Sequence, residues 1–451
     1  MRTLHLFVAV ALCCCTVVRG AYCNGSPDAG IRTNDNPIQL ANLKTLKTAP
    51  NGVLQEAGPE GQRFSVLHVY GTPYEKGFAQ GTLIKDELHQ FVHDTFAYLT
   101  SMIVGENDDR FPKAILDLIV RFGMKKALDW NAKVTKEFTP ESFFQEMQGI
   151  ADASGVEYEM LLQLNLFPEI TKASCSFMGA WGAATSENGK TWQLRALDYD
   201  TVGPFKEFPL VTVYHPQEGT NHKAFASVGF PGSIGVLTGQ SEAQIGISEI
   251  GVSYPDDSFG QGTDNTPPEK VKGIPWMYLL RDVLEQAADG NEGIQMIQNA
   301  NRTCNLIIGV GNGKASEVHG IEYSGVVANV YKDTDLLPVN TDWHPQISNV
   351  VYNSMDWLCP NYDIVMHQQL SQYAGTGSLS ATTMIQNVLP TVQTGNLHAA
   401  IFDLTESVMY VSFMPKGQAP DAPQVYAFAG QWTQLDLSDL FTTPKPQSTE
   451  A

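Results

Sequence analysis

The sequence predicts an α+β chain of antiparallel sheets with helices layered outside them. Two features point there. Helical periodicity dominates up to about residue 170, and the later strand candidates come in runs, with helices grouped between the runs instead of following each strand. The two halves meet at Ala173-Ser174-Cys175-Ser176-Phe177; Phe177 to Ala184 reads as a buried strand, Asn188-Gly189 as a turn and Thr191 to Leu197 as the returning strand.

Residues 21 to about 60 are rich in Asn, Pro and Gly without periodicity and read as an irregular lead-in. Arg63 to Tyr70 alternates as a strand, Gly71-Thr72-Pro73 turns it, and a helix follows to about Met102. Gly77 and Gly81 lie one helical turn apart, either as a flat face for close packing or as parts of a loose first turn. Further helices are expected around Pro112 to Trp130, from a Thr139 cap with Pro140 at the first position to Ser154, and over Glu157 to Leu166. After Cys175, six stretches read as strands: Leu210 to Tyr214, Ala224 to Val228, Ile245 to Val252, Asn305 to Val310, Glu317 to Tyr323 and Met409 to Phe413. Pro275 to Ala287, Glu292 to Ala300 and Ser380 to Val388 read as helices, and the Thr-Pro-Lys-Pro tail from Thr442 as disordered.

The first twenty residues carry two arginines, no acid and an apolar core from Leu4 to Val18, the pattern of a secretory signal peptide cut near Ala21. No later segment is long and apolar enough for a membrane helix. The expectation is therefore a soluble mature chain, secreted or held in a lysosomal or endosomal lumen. Without Arg2 and Arg19, 26 basic residues face 48 acidic ones, a balance of −22, which argues against nucleic acid as a partner. Cys13, Cys14 and Cys15 leave with the leader, so Cys23, Cys175, Cys304 and Cys359 remain, with three complete pairings open to them. With Cys175 kept free, the pair expected here is Cys304 with Cys359. Asn301-Arg302-Thr303 is a glycosylation acceptor, and Asn24-Gly25-Ser26 a poorer one because Pro27 follows.

Asn-Gly is a strong hairpin signal, and it carries Arg195 and Asp198 back towards Cys175. A thiol, a fixed cation and a carboxylate at one strand end can hold a cysteine as thiolate. Residues three apart point to opposite faces of a strand, so Arg195 and Asp198 converge only if the strand ends or bulges near Ala196. Local sequence allows a second reading: a buried core cysteine beside a structural ion pair.

The motifs resemble those of the acyl-coenzyme A:isopenicillin N acyltransferase-like family and its relatives acid ceramidase and choloylglycine hydrolase. Gly71-Thr72-Pro73-Tyr74-Glu75-Lys76-Gly77-Phe78-Ala79-Gln80-Gly81 resembles the family's early signature, and Gly155-Val156 through Leu164-Asn165 the segment before its nucleophile. Cys175 with Arg195 and Asp198 resembles the nucleophile hairpin. Phe230-Pro231-Gly232 leading to Gly239, Asn305 to Glu322, Val339-Asn340-Thr341 and Asn396 to Asp403 follow in the family's order, so the resemblance spans roughly residues 63 to 413.

The resemblance implies an N-terminal nucleophile hydrolase with a four-layer αββα fold, made as a precursor that cuts itself between Ser174 and Cys175. Residues 21–174 would stay associated as the smaller chain and 175–451 would form the catalytic chain. Cys175 would be the nucleophile, Arg195 would favour its thiolate, Asp198 would orient amine and thiol, and the Asn340 amide would serve the oxyanion. A turn asparagine before Trp343 is the other reading of Asn340. Many relatives carry asparagine where this chain has Ser241, so a backbone N–H, Gln240 or Ser241 could supply the second oxyanion donor. Glu249 and His398 are further pocket candidates, each also readable as a structural polar residue.

The implied activity is hydrolysis of a linear non-peptide amide, an N-acyl lipid or N-acyl amino compound, or transfer of its acyl group. Ser227-Val228-Gly229-Phe230-Pro231-Gly232 also resembles a segment of the phospholipase B-like proteins, which implies ester cleavage instead. A secreted binding protein without chemistry is a third reading, set against retention of Cys175, Arg195, Asp198 and Asn340 together. No metal or organic cofactor is implied: Gly-x-Ser-x-Gly, His-Glu-x-x-His and a complete P-loop are absent from the sequence.

Overall fold

The computed structural model describes residues 22–30, 32–102, 123–171, 173–186, 189–260, 272–419 and 422–447. The expected signal peptide, the first part of the helix expected around Pro112 to Trp130, and Asn188 of the hairpin turn lie outside the described residues.

The helical half begins where the sequence places it. Thr72 caps helix α1 (Pro73–Leu83): its hydroxyl accepts from the Glu75 N–H, and the Glu75 carboxylate accepts from the Thr72 N–H in return. Ile84 breaks the single expected helix into α1 and α2 (Lys85–Met102). Helices α3 (Met124–Thr135), α4 (Glu141–Ser154) and α5 (Tyr158–Ile170) follow. Gly77 and Gly81 do form a packing face. A Cβ on Gly77 would stand 1.9 Å from the Glu146 carbonyl oxygen of α4, and one on Gly81 2.6 Å from that of Ile150.

Two sheets lie face to face. The seven-stranded sheet runs β1 (Gln39–Leu40), β17 (Thr433–Asp436), β16 (Val408–Phe413), β15 (His398–Asp403), β6 (Trp192–Asp198), β5 (Ser174–Ala180), β14 (Val350–Met355). The ten-stranded sheet runs β13 (Ala328–Tyr331), β12 (Glu317–Tyr323), β11 (Leu306–Asn312), β10 (Ile245–Gly251), β9 (Thr238–Ser241), β8 (Phe225–Gly229), β7 (Leu210–Tyr214), β4 (Phe64–Val69), β3 (Gly52–Ala57), β2 (Lys44–Ala49). Neighbours are antiparallel except β1 with β17 and β4 with β7. The faces interlock. A Cβ on Gly309 of β11 would meet the Phe177 ring of β5 at 2.6 Å, and one on Gly179 would meet Val318 at 2.3 Å. Gln193 of β6 spans the gap, donating to Ser248 Oγ at 2.9 Å and to the Gly309 carbonyl at 3.2 Å.

Helices close both outer faces, so β5 and β6 are buried throughout except at Ser174. α1 packs on β3 and β4, while α6 (Trp276–Gln286) and α7 (Gly290–Asn299) cover β9 to β11. α8 (Pro360–Ala374) lies against the seven-stranded sheet at β14, and the helical stretch 381–392 packs on α8. The result is the four-layer αββα arrangement.

Three expectations are corrected. The lead-in is not irregular, since β1, β2 and β3 fall within it; Ala49 pairs with Gly52, so β2 and β3 turn at Pro50-Asn51, with Asn51 at φ 61°. The disulfide joins Cys23 to Cys359, not Cys304 to Cys359, because the Cys23 N–H bonds the Leu358 carbonyl and brings those segments together. Cys304 instead donates its thiol to the Glu169 carbonyl at 3.1 Å. The tail is docked where it starts, the Tyr70 hydroxyl donating to the Thr443 and Pro444 carbonyls.

Candidate active site

Cys175 opposes Leu197 and Phe177 opposes Arg195, so the β5–β6 register puts Cys175 and Arg195 on the face that looks towards the other sheet. Both are fully buried. Arg195 Nη2 donates to Cys175 Sγ at 3.1 Å and lies 3.3 Å from Glu249 Oε2 of β10. Its Nε donates to the Glu249 carbonyl at 3.1 Å, and its Nη1 to His398 Nε2 of β15 at 3.1 Å. The guanidinium is thus clamped between the sheets, its fork shared among sulfur, carboxylate and imidazole.

His398 accepts from Arg195 and is therefore neutral, with its proton on Nδ1. Burial, then the nearby Arg195 charge, holds its pKa well below the usual value. The Thr238 hydroxyl lies 3.3 Å from the same nitrogen.

Asp198 opposes Ser174 and points to the other face, as period-two alternation requires, so no bulge brings it round to Arg195's side. Its backbone N–H instead lies against the Cys175 sulfur. Its carboxylate sits in the loop before β15, accepting from Thr394 Oγ1 at 2.6 Å, Gly395 N at 2.8 Å and Asn396 N at 3.0 Å. Gln393 at φ 58° and Gly395 at φ 91° turn those N–H groups towards the anion, as in an anion-binding nest. Burial raises the Asp198 pKa against these hydrogen bonds.

Burial also pushes the Cys175 thiol up to about 12, against the pull of Arg195 and with the Glu249 charge adding to the rise. At neutral pH the sulfur is therefore a neutral thiol. Beside it lies a mainly apolar pocket lined by Phe91, Phe167, Leu197, Phe230, Leu237 and Leu397, with Glu249 and Ala173 also on its wall.

The remaining sequence candidates fall elsewhere. Asn340 is half-buried, and its side-chain oxygen accepts from the Asp342 N–H at 3.0 Å and the Trp343 N–H at 3.2 Å, the turn role that its local sequence allowed. No hydrogen bond among the described residues joins it to Cys175 or Arg195. Gln240 and Ser241 lie beyond Thr238 on β9, fully buried, and their side-chain polar atoms have no hydrogen-bond partner among the described residues. Asn301 is exposed. Sequence reasoning missed Thr238 and the Thr394–Asn396 loop. Only Thr-Gly-Asn ahead of the His398 strand offered a turn signal for the second. Among the described residues no group of three or more His, Cys, Asp and Glu is arranged to hold a metal ion, and no helix is long and apolar enough to cross a membrane.

No family model matches the sequence. Among solved structures, the chain is similar to a Caenorhabditis elegans N-acylethanolamine-hydrolyzing acid amidase ortholog, with a TM-score of 0.38 and 19% identity over 57% of this chain and 98% of that one. It is also similar to a mutant conjugated bile acid hydrolase from Clostridium perfringens, with a TM-score of 0.34 and 12% identity over 57% of this chain and 96% of that one. At these scores the reading of the site rests on its own geometry. Among curated sequences, the Dictyostelium discoideum protein dcd1B is 32% identical over 92% of this chain and 81% of its own length. Protein dcd1A of the same organism is 33% identical over 98% of this chain and 100% of its own length. The chain belongs to the family of dcd1A and dcd1B.

Proposed function

We propose that the chain is a self-processing cysteine amidohydrolase. It would split between Ser174 and Cys175 and then use Cys175 on a linear non-peptide amide with an apolar acyl group. The observation that carries this reading is the 3.1 Å contact from Arg195 Nη2 to Cys175 Sγ, beside an apolar pocket. Ser174 is exposed while Cys175 is buried at the start of β5, which supports a cut that uncovers the thiol.

The free α-amine would titrate near 8 and could take the thiol proton, leaving a thiolate held by Arg195. The thiolate would attack the amide carbon and expel the amine with a proton, and water or a second amine would release the acyl group from the thioester. Residues 21–174 would remain as the smaller chain. The Cys23–Cys359 disulfide and the exposed Asn301 acceptor support a secreted or endolysosomal location.

The test is turnover of a long-chain N-acyl amide and of a diacyl glycerophospholipid by the purified protein and by Cys175→Ala. Amide cleavage lost in the variant supports the reading. Phospholipid cleavage alone moves the assignment to an ester hydrolase, and equal activity in the variant removes Cys175 from the chemistry.

A further inference from the structure

On the sheet face opposite Cys175 a row of buried hydroxyls crosses three strands and ends at Asp198. Ser354 of β14 opposes Ser176 of β5, and their oxygens lie 3.2 Å apart. Ser176 Oγ lies 2.7 Å from Thr394 Oγ1, which lies 2.6 Å from Asp198 Oδ2. Ser176, Ser354 and Thr394 are fully buried.

One proton arrangement satisfies every member. An ionised Asp198 can only accept, so Thr394 donates to it, and Thr394 then accepts from Ser176. Ser176 accepts from the Met355 N–H at 3.1 Å and from Ser354. The row therefore has a direction, with each hydroxyl polarised towards the carboxylate. Its anchorage is firm at both ends. The Ser354 N–H donates to Asp363 Oδ1 at 2.9 Å, and Asn396 and Tyr199 exchange hydrogen bonds of 3.0 and 2.9 Å that pin the Thr394 loop to the end of β6.

We propose that Thr394, fed by Ser176, is a positioning residue: the Ser354–Ser176–Thr394 hydroxyl relay keeps Asp198 ionised and fixed while Asp198 orients the Cys175 amine. This rests on the cysteine amidohydrolase reading. The backbone N–H groups of Gly395 and Asn396 alone would leave the Oδ2 side with one donor fewer, in a setting where burial already favours the neutral acid.

The experiment compares wild type, Thr394→Val, Thr394→Ser and Ser176→Ala as full chains with matching circular dichroism. Intact mass gives the cut fraction, and the pH dependence of kcat and KM is measured on a fluorogenic long-chain N-acyl amide. The valine variant is expected to lose about ten- to hundredfold in kcat with little change in KM. Its acid limb should move up by about one pH unit, because losing a donor raises the carboxyl pKa. Serine should restore both, and Ser176→Ala should shift both in the same direction by less. A valine variant with the wild-type kcat and acid limb overturns the relay, as does a serine variant as impaired as valine. A wild-type chain that neither splits nor turns over the amide refutes instead the reading beneath it.

Discussion

Arg195 is the residue whose loss the structure values most sharply. It sits fully buried between Glu249 and Cys175, so replacing it by the similarly sized Met removes the cation that pairs with the Glu249 carboxylate inside the sandwich. Breaking one side of a buried pair costs about 3–5 kcal/mol, against about 1 kcal/mol or less for an exposed pair. The unfolding entropy of a chain this long is about 0.9 kcal/mol/K, so melting should fall by about 3–5 °C. The comparison is made in a Cys175→Ala background, where no cut can complicate the transition, with Arg195→Met, Glu249→Gln and the double change measured by thermal and urea unfolding. Glu249→Gln added to Arg195→Met should recover more than half the loss by removing the charge that has lost its Arg195 cation. A loss under about 1 kcal/mol for Arg195→Met, or a double variant no better than the single, would refute the buried Arg195–Glu249 pair.

Because Cys23 and Cys359 lie on either side of the proposed cut, a non-reducing gel should show one species and a reducing gel two, while Cys23→Ser should give two without reductant. Gly77→Ala should cost about 3 kcal/mol or more in urea unfolding, because its methyl group would press on the Glu146 backbone carbonyl, which has no rotamer to yield. Glu169 is raised to about 7, chiefly by burial, so its folded form holds a proton that its unfolded form releases near 4.5. Its contribution to stability is present below pH 4.5 and lost as the pH rises through about 7; Glu169→Gln should flatten that slope in unfolding midpoints taken from pH 4 to 8.

The Cys175–Arg195 contact was legible because one local device, the hairpin between β5 and β6, sets it. Alternation set the condition that Asp198 would join Arg195 only through a strand end or bulge near Ala196, and without a bulge Asp198 faces the other way. What sequence could not reveal was the answer to that problem: the Thr394–Asn396 loop, which meets Asp198 from about two hundred residues away. The Arg195–Glu249 pair was out of reach for the same reason, since it forms only when two sheets stack. The Cys23–Cys359 bridge likewise depends on the N-terminal segment crossing to Leu358. The β2–β3 hairpin is a different failure: its turn at Pro50-Asn51 lies in the Asn-, Pro- and Gly-rich stretch read as irregular, and β2 is an edge strand with exposed Lys44 and Lys47 and little apolar pattern.

The most direct test of the central claim is intact mass with N-terminal sequencing of the purified protein beside Cys175→Ala. The account predicts that the wild type, once reduced, yields two chains, the larger beginning at Cys175, while the variant stays whole. A wild type that remains a single folded chain under the conditions where it is active would contradict self-processing and leave Cys175 a buried core thiol or an internal nucleophile.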